Sequence, residues 1–333
     1  MIRPGPRNLI TDVPGIRVGN AEDARVLTGV TVILPDERAL AAADVRGGGP
    51  GTRETDALAA GRLVERVDAV VLSGGSAFGL AAADAAMAWL AARGRGFPVA
   101  EQVVPIVPAA VLFDLANGGD KSGAPPHRDL AAAACAAAGP GFALGNAGAG
   151  MGAKAGDLKG GLGSASAVLE DGVTVGGLAA VNSLGGVTYP GSSTLWAWAW
   201  EQAGEMGGQE PPRAPVGLAP DLPSPGALEP GTNTTLAVVA TDADLSRDEA
   251  LRVATMAHDG LARAIRPLHT PFDGDTVFVL ATHRRPLARP RAAGVAVLGA
   301  VAADCLTRAV GRAIVSAESA GRFESWRARF RKE

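Results

Sequence analysis

The chain alternates short apolar runs that end in glycine with alanine-rich stretches of helical length. It has few large side chains to fill the space between them. Aromatic residues are 4 % of the 333 and glycines number 45, so the core has to be built from Ala, Val and Leu with backbones in close approach. Residues 29–35 (GVTVILP) and 68–75 (DAVVLSGG) read as buried strands, the second running into a glycine turn. Residues 76–94 read as a helix stopped by Gly94, and residues 129–139 as a second helix ending at glycine. Residues 103–115 carry Pro105 and Pro108 and predict an edge strand or an extended segment. The glycine-dominated stretch 145–169 predicts no regular element before SASAVL. Residues 174–187 predict a strand leading into a turn at Asn182–Ser183.

From 203 to 231 the composition changes. Seven prolines between Pro211 and Pro230 and no apolar period predict an exposed loop or linker. Order then returns abruptly: residues 234–241 form a buried-strand pattern, and Ser246 with Glu249 makes a capping box for a helix to about Ile265. HTPFDGD predicts a turn, 276–283 a strand, 294–317 a final helix or helix pair, and 322–333 a charged tail. Strands and helices alternate without an internal repeat, and local connections leave parallel and antiparallel pairing open.

The junction Glu229-Pro-Gly-Thr-Asn233-Thr234-Thr235 is the most informative chemical feature. A flexible segment running straight into a strand that opens on a hydroxyl suits an autocatalytic N-terminal nucleophile. The Thr234 hydroxyl attacks the Asn233 carbonyl, and hydrolysis of the resulting ester frees an α-amine beside the hydroxyl as its base. A plain strand-entry turn and a glycosylation sequon are the other readings of the same residues. Asp273 and Asp275 flank a glycine at the turn before the last strand, where carboxylates can orient an amine; a hairpin turn is the bland alternative. Asn182 sits at a strand end beside Gly185-Gly186, where a side-chain amide can donate to an oxyanion. Lys159 lies in a glycine-rich run in a lysine-poor chain, with Lys154 nearby.

Other chemistries are disfavoured. With 31 Lys and Arg against 34 Asp and Glu, binding to nucleic acid or an anionic membrane by bulk charge is not expected. His127, His258, His269 and His283 show no metal-binding spacing, and Cys135 and Cys305 lie apart in apolar runs, so neither a metal site nor a disulfide framework is expected. The Gly148–Ala153 string has the Gly-X-Gly-X-X-Ala form of a dinucleotide loop but lacks the strand before it and the helix after it, and no cofactor is expected. The N-terminal residues have no apolar signal-like run, and a cytoplasmic location is expected.

Taken together, NLITDVPGIRVG, ADVRGGGPGTRETDAL, LSGGSAFGLAAADAAMAWL, GAGMGAKAGDLKGGLGSAS, NTTLAVVATDADLS and PFDGDTVFVLAT resemble the S58 (P1, DmpA-like) family of self-processing N-terminal-nucleophile hydrolases. The motifs are long, ordered and spread over most of the chain. The resemblance implies an α+β fold, an αββα sandwich of two stacked sheets flanked by helices, in a single hydrolase domain 1–333. It implies processing into an α chain 1–233 and a β chain 234–333, with tetramers of processed heterodimers. Thr234 matches the nucleophile, Asn233 the residue before the cut, Asn182 the oxyanion-side asparagine, and Asp273 and Asp275 the supporting polar pair of the nylon-hydrolase-like branch. Lys159 fits the later lysine motif, while the family's earlier Gly-Lys has no clear counterpart because Asp157 follows Gly156. The implied activity is hydrolysis of amide bonds in small peptides or amino-acid-derived amides, without a cofactor. An aminopeptidase or esterase and a processing-dead binding protein are the alternatives. The single tyrosine, Tyr189, lies outside the glycine-rich segment where some aminopeptidase members carry a catalytic one, which counts against the aminopeptidase reading.

Overall fold

A computed structural model describes residues 1–213, 215, 217, 222 and 232–331. Its strands are β1 (Arg3–Pro4), β2 (Ile16–Asp23), β3 (Thr28–Pro35), β4 (Ala39–Val45), β5 (Gly51–Arg53), β6 (Arg66–Val67), β7 (Val70–Ser73), β8 (Phe97–Val99), β9 (Gln102–Val104), β10 (Ala109–Val111), β11 (Lys154–Ala155), β12 (Leu158–Lys159), β13 (Gly161–Val168), β14 (Thr174–Asn182), β15 (Thr234–Ala243) and β16 (Thr276–Arg285). The helices are α1 (Ala81–Ala91), α2 (His127–Ala137), α3 (Arg247–Ala264), α4 (Arg291–Ser316) and α5 (Trp326–Phe330).

The strands build a seven-stranded sheet, β1-β13-β14-β15-β16-β4-β6, and a five-stranded sheet, β2-β3-β7-β10-β5. Helices α3 and α4 cover the larger sheet and α1 and α2 the smaller, which gives the four-layer αββα order expected from the resemblance. Strand alternation explains why three cores form. On β15, Leu236, Val238 and Ala240 point between the sheets with Ile33, Leu72, Leu178 and Phe278, whereas Ala237 and Val239 face α3 and α4. A third, smaller core of Val30, Val32, Val71 and Ala86 lies under α1 and α2. Cys135 and Cys305 are buried free thiols, and burial pushes both up to about 12, so neither is a thiolate at neutral pH.

Several local expectations need correction. The stretch 76–94, which reads as a helix, opens as a 3-10 turn, Ser76–Leu80, before α1. β10 is an inner strand, parallel to β7 and antiparallel to β5, because both prolines of its segment fall before it and leave its N–H groups available. The glycine-rich stretch is regular well before SASAVL: a 3-10 turn at Gly148–Gly150 and the β11–β12 hairpin precede β13. That strand starts at Gly161, where the sheet needs glycine to admit a helix, since a Cβ on Gly163 would lie 1.9 Å from the Ala309 carbonyl oxygen of α4. The linker lies partly outside the described residues. Its described start, 203–213, has no helix or strand but is not wholly exposed, because Met206 is buried and Glu205 is held by Arg308 at 2.6 Å. The charged tail holds α5, docked by buried Trp326, whose indole N–H donates to the Ser193 carbonyl at 2.8 Å. Helix α4 is long and apolar enough to cross a membrane by length and composition, but most of its apolar window is buried against α3, β13 and β14.

Candidate active site

β15 lies between antiparallel β14 and parallel β16, and this placement assembles the candidate residues. The register sets Thr234 opposite Asn182, while Asn233 forms an isolated bridge with Asp273. Thr234, Asn182, Asp273 and Asp275 are all buried. The Thr234 hydroxyl donates to the carbonyl of Asn233, the carbonyl at which a self-cleaving threonine reacts. The same oxygen accepts the Gly274 N–H at 2.9 Å. Glycine at 274 leaves room for the nucleophile, because a Cβ there would sit 2.7 Å from Thr234 Oγ1 and push the hydroxyl aside.

The two aspartates do different work. One Asp275 oxygen accepts the Thr235 N–H at 2.6 Å; the other accepts the His269 N–H at 3.1 Å and faces its Nδ1 at 2.8 Å. Asp273 accepts from the Thr270 N–H and hydroxyl at 2.8 and 2.6 Å and from the Leu184 N–H at 3.4 Å. Burial, and then the neighbouring Asp275, raise the Asp273 carboxyl above the ordinary range. The loop after β4 wraps the aspartate turn from behind. Arg46 and Gly47 N–H groups donate to the Asp275 carbonyl at 3.0 and 3.3 Å, and the Gly49 N–H to the Asp273 carbonyl at 2.7 Å. A Cβ on Gly47 would lie 2.4 Å from the Asp273 carbonyl oxygen, which accounts for a glycine run at this place.

Asn182 donates from Nδ2 to the Phe113 carbonyl at 3.1 Å and accepts the Lys154 N–H through Oδ1 at 3.0 Å. It ties the ends of the two sheets together and keeps a second amide hydrogen for another acceptor. The two lysines separate here. Lys159 is buried with its ammonium on the carbonyls of Gly150 and Gly160, both at 2.8 Å, and desolvation pushes it down to about 7. No hydrogen bond joins it to the aspartates or to Thr234. Lys154, beside it in the β11–β12 hairpin, lines a cavity of about 180 Å3 with Asn182, Thr232, Phe113 and Asp114. Burial lowers its ammonium, and Asp273 partly offsets that effect.

The sequence brings Thr234, Asn233, Asn182, Asp273 and Asp275 to one place. Two contributors have no role in the sequence reading: His269, which appears there only in HTPFDGD and among the histidines without metal-binding spacing, and the Gly47–Gly49 loop. Among the described residues, no group of three or more His, Cys, Asp or Glu side chains could hold a metal ion. Tyr189 stacks on Trp196 at 3.9 Å and lines a different cavity with Trp326 and Phe330.

In overall shape the chain is similar to the L-aminopeptidase D-Ala-esterase/amidase of Ochrobactrum anthropi, described as a variant of the Ntn hydrolase fold. The TM-score is 0.72 at 22 % identity, covering 95 % of this chain and 88 % of that one. A Burkholderia sp. beta-aminopeptidase matches with a TM-score of 0.69 at 23 % identity, covering 95 % and 89 %. The fold is therefore that of the Ntn hydrolases. The family model of Peptidase family S58 matches residues 8–326, and the chain belongs to that family. An uncharacterized aminopeptidase of Mycobacterium tuberculosis is 47 % identical over 97 % of this chain and 98 % of its own length. A 6-aminohexanoate-oligomer endohydrolase of Paenarthrobacter ureafaciens is 31 % identical over 92 % and 86 %. The chain is a hydrolase acting on amide or peptide bonds.

Proposed function

We propose that this chain cuts itself between Asn233 and Thr234 and then uses the freed Thr234 to hydrolyse amide bonds of small peptides or amino-acid-derived amides. The observation that carries the reading is the Thr234 hydroxyl on the Asn233 carbonyl, with the Gly274 N–H on the same oxygen. Attack forms the Oγ–C bond and places negative charge on an oxygen that already has a donor. The hydroxyl proton passes to Lys154, the cavity lysine, whose burial favours the neutral amine. The C–N bond breaks as the Thr234 nitrogen takes a proton. Water then hydrolyses the ester and leaves Asn233 as a carboxylate and Thr234 with a free amine.

In turnover that amine is the base beside the hydroxyl. Departure of Thr232 and Asn233 opens the cavity lined by Lys154 and Asn182 toward Thr234. The free amide hydrogen of Asn182 and the Gly274 N–H then serve the substrate oxyanion. Asp275 fixes the first peptide of the new chain through the Thr235 N–H. The lysine role belongs to Lys154, and Lys159 holds the glycine loop beneath it.

Two substrate classes follow from the relatives' names. The Asn-Thr junction, the aspartate pair and the placement of Tyr189 away from the cavity favour an ω-amino-acid amide, as for the endohydrolase; the mycobacterial relatives favour an amino-terminal peptide. A panel of 6-aminohexanoate oligomers and aminoacyl amides, given to wild-type and Thr234→Ala protein, tests the reading. Turnover confined to wild type supports it, and equal rates in the two proteins refute it.

A further inference from the structure

His269 is joined to the nucleophile's strand through Asp275. It presents both its backbone N–H and its ring Nδ1 to one oxygen of that fully buried carboxylate, at 3.1 and 2.8 Å, while the other oxygen holds the Thr235 N–H at 2.6 Å. To do so it adopts φ +56°, a left-handed conformation uncommon outside glycine, Asn, Asp and His. Its ring is braced. His258 of α3 meets it edge-on at 4.7 Å between centroids, and His258 Nε2 lies 3.1 Å from the Asp44 carbonyl of β4. A helix, the neighbouring strand and a strained turn therefore converge on one imidazole whose hydrogen-bond partner is Asp275.

The geometry points to His269 as a positioning residue of the nucleophile: by fixing which way the Asp275 carboxylate faces, it fixes the Thr235 peptide and, one residue before it, the Thr234 hydroxyl. Asp275 bonds through both oxygens, so loss of the ring donor leaves one of them on the His269 backbone N–H alone, loosens the carboxylate about its side-chain torsion and weakens its hold on Thr235 N–H. Such an effect acts on the reacting geometry and leaves the substrate cavity unaltered. It belongs to the rate of the chemical step and not to ground-state binding.

The inference rests on the self-cleavage and hydrolysis proposed above, and the test separates the two. Full-length wild type, His269→Gly and His269→Asn are followed by denaturing electrophoresis for self-cleavage, then assayed for kcat and KM on the amide that wild type turns over. Glycine accepts the left-handed backbone but has no side-chain donor. Asparagine accepts that backbone and offers its amide N–H near the position of Nδ1. The expected result is a roughly 30-fold slower self-cleavage and kcat in His269→Gly with KM within about two-fold, and recovery to within about three-fold of wild type in His269→Asn. Wild-type rates in His269→Gly, a loss confined to KM, or a His269→Asn protein more than about ten-fold slow would each overturn the role. Should His269→Gly fail to fold, the His269→Asn rate alone decides by the same limits. A wild-type chain that stays whole and inactive refutes the underlying reading instead.

Discussion

The Gly274 N–H donates to the carbonyl oxygen of Asn233 at 2.9 Å, so the peptide at which the chain is proposed to break is already held by the turn that carries both aspartates. Replacing Gly274 by Ala sets a methyl group 2.7 Å from Thr234 Oγ1 and 3.0 Å from the Gly49 carbonyl oxygen. Such a contact forces the hydroxyl away from its carbonyl. Self-cleavage of Gly274→Ala should be slowed at least about 100-fold, at a stability cost of about 1–3 kcal/mol. A gel time course with a urea melt checks both; an unchanged half-time for cleavage would contradict the placement.

Asp275→Asn keeps the shape but not the acceptors. An amide nitrogen must then face either the Thr235 N–H or the His269 donors, leaving buried donors opposed. A loss of about 2–3 kcal/mol in urea unfolding, with self-cleavage slowed by about 100-fold or more, is expected. Cleavage at the wild-type rate would show that the Thr235 anchor does not matter.

Lys154 and Lys159 should separate cleanly. Lys154→Met removes the cavity lysine and is expected to slow self-cleavage by about 100-fold or more without a lower melting temperature. Lys159→Met leaves the Gly150 and Gly160 carbonyls without their buried donor and should lower stability by about 1–3 kcal/mol while the surviving folded protein still cleaves itself. Parallel kinetics and thermal melts of the two variants check this; the reverse pattern would return the catalytic role to Lys159.

Much of this arrangement was legible in the residues, for physical reasons. Thr234, Asn233, Asp273 and Asp275 stand where strands begin, and strand starts are marked by sharp changes from proline, glycine and acidic residues to β-branched runs. The αββα layering came from the family resemblance and not from local pattern, since nothing in a short apolar run tells whether β10 pairs on one side or two. The regular structure at Gly161 and Gly163 was hidden because glycine there answers to the backbone of α4, more than a hundred residues away. His269 was hidden for a related reason: its ring matters through one oxygen of Asp275, and spacing six residues apart on a turn has no period to betray it.

Stability should fall in mild acid. Burial holds His127 and His258 down to about 4, below the ordinary 6.5. Between those values the unfolded chain binds protons that the folded chain refuses, so stability is lost as pH falls from about 6.5 to 4, by at most about 1.4 kcal/mol per pH unit for each group. His127→Gln keeps a donor for Thr28 Oγ1, which lies 3.1 Å from His127 Nε2, and removes one of the two titrations. Its loss of melting temperature between pH 7 and pH 4.5 should be smaller than that of wild type. Equal losses would mean that His127 is protonated in the folded state.

The central claim is a single backbone scission, and intact mass with N-terminal sequencing of the purified, active protein tests it most directly. The account predicts two chains, residues 1–233 and 234–333 of the sequence, the second beginning Thr-Thr-Leu-Ala. Full amide-hydrolysing activity in material that contains only the unbroken 333-residue chain would contradict it.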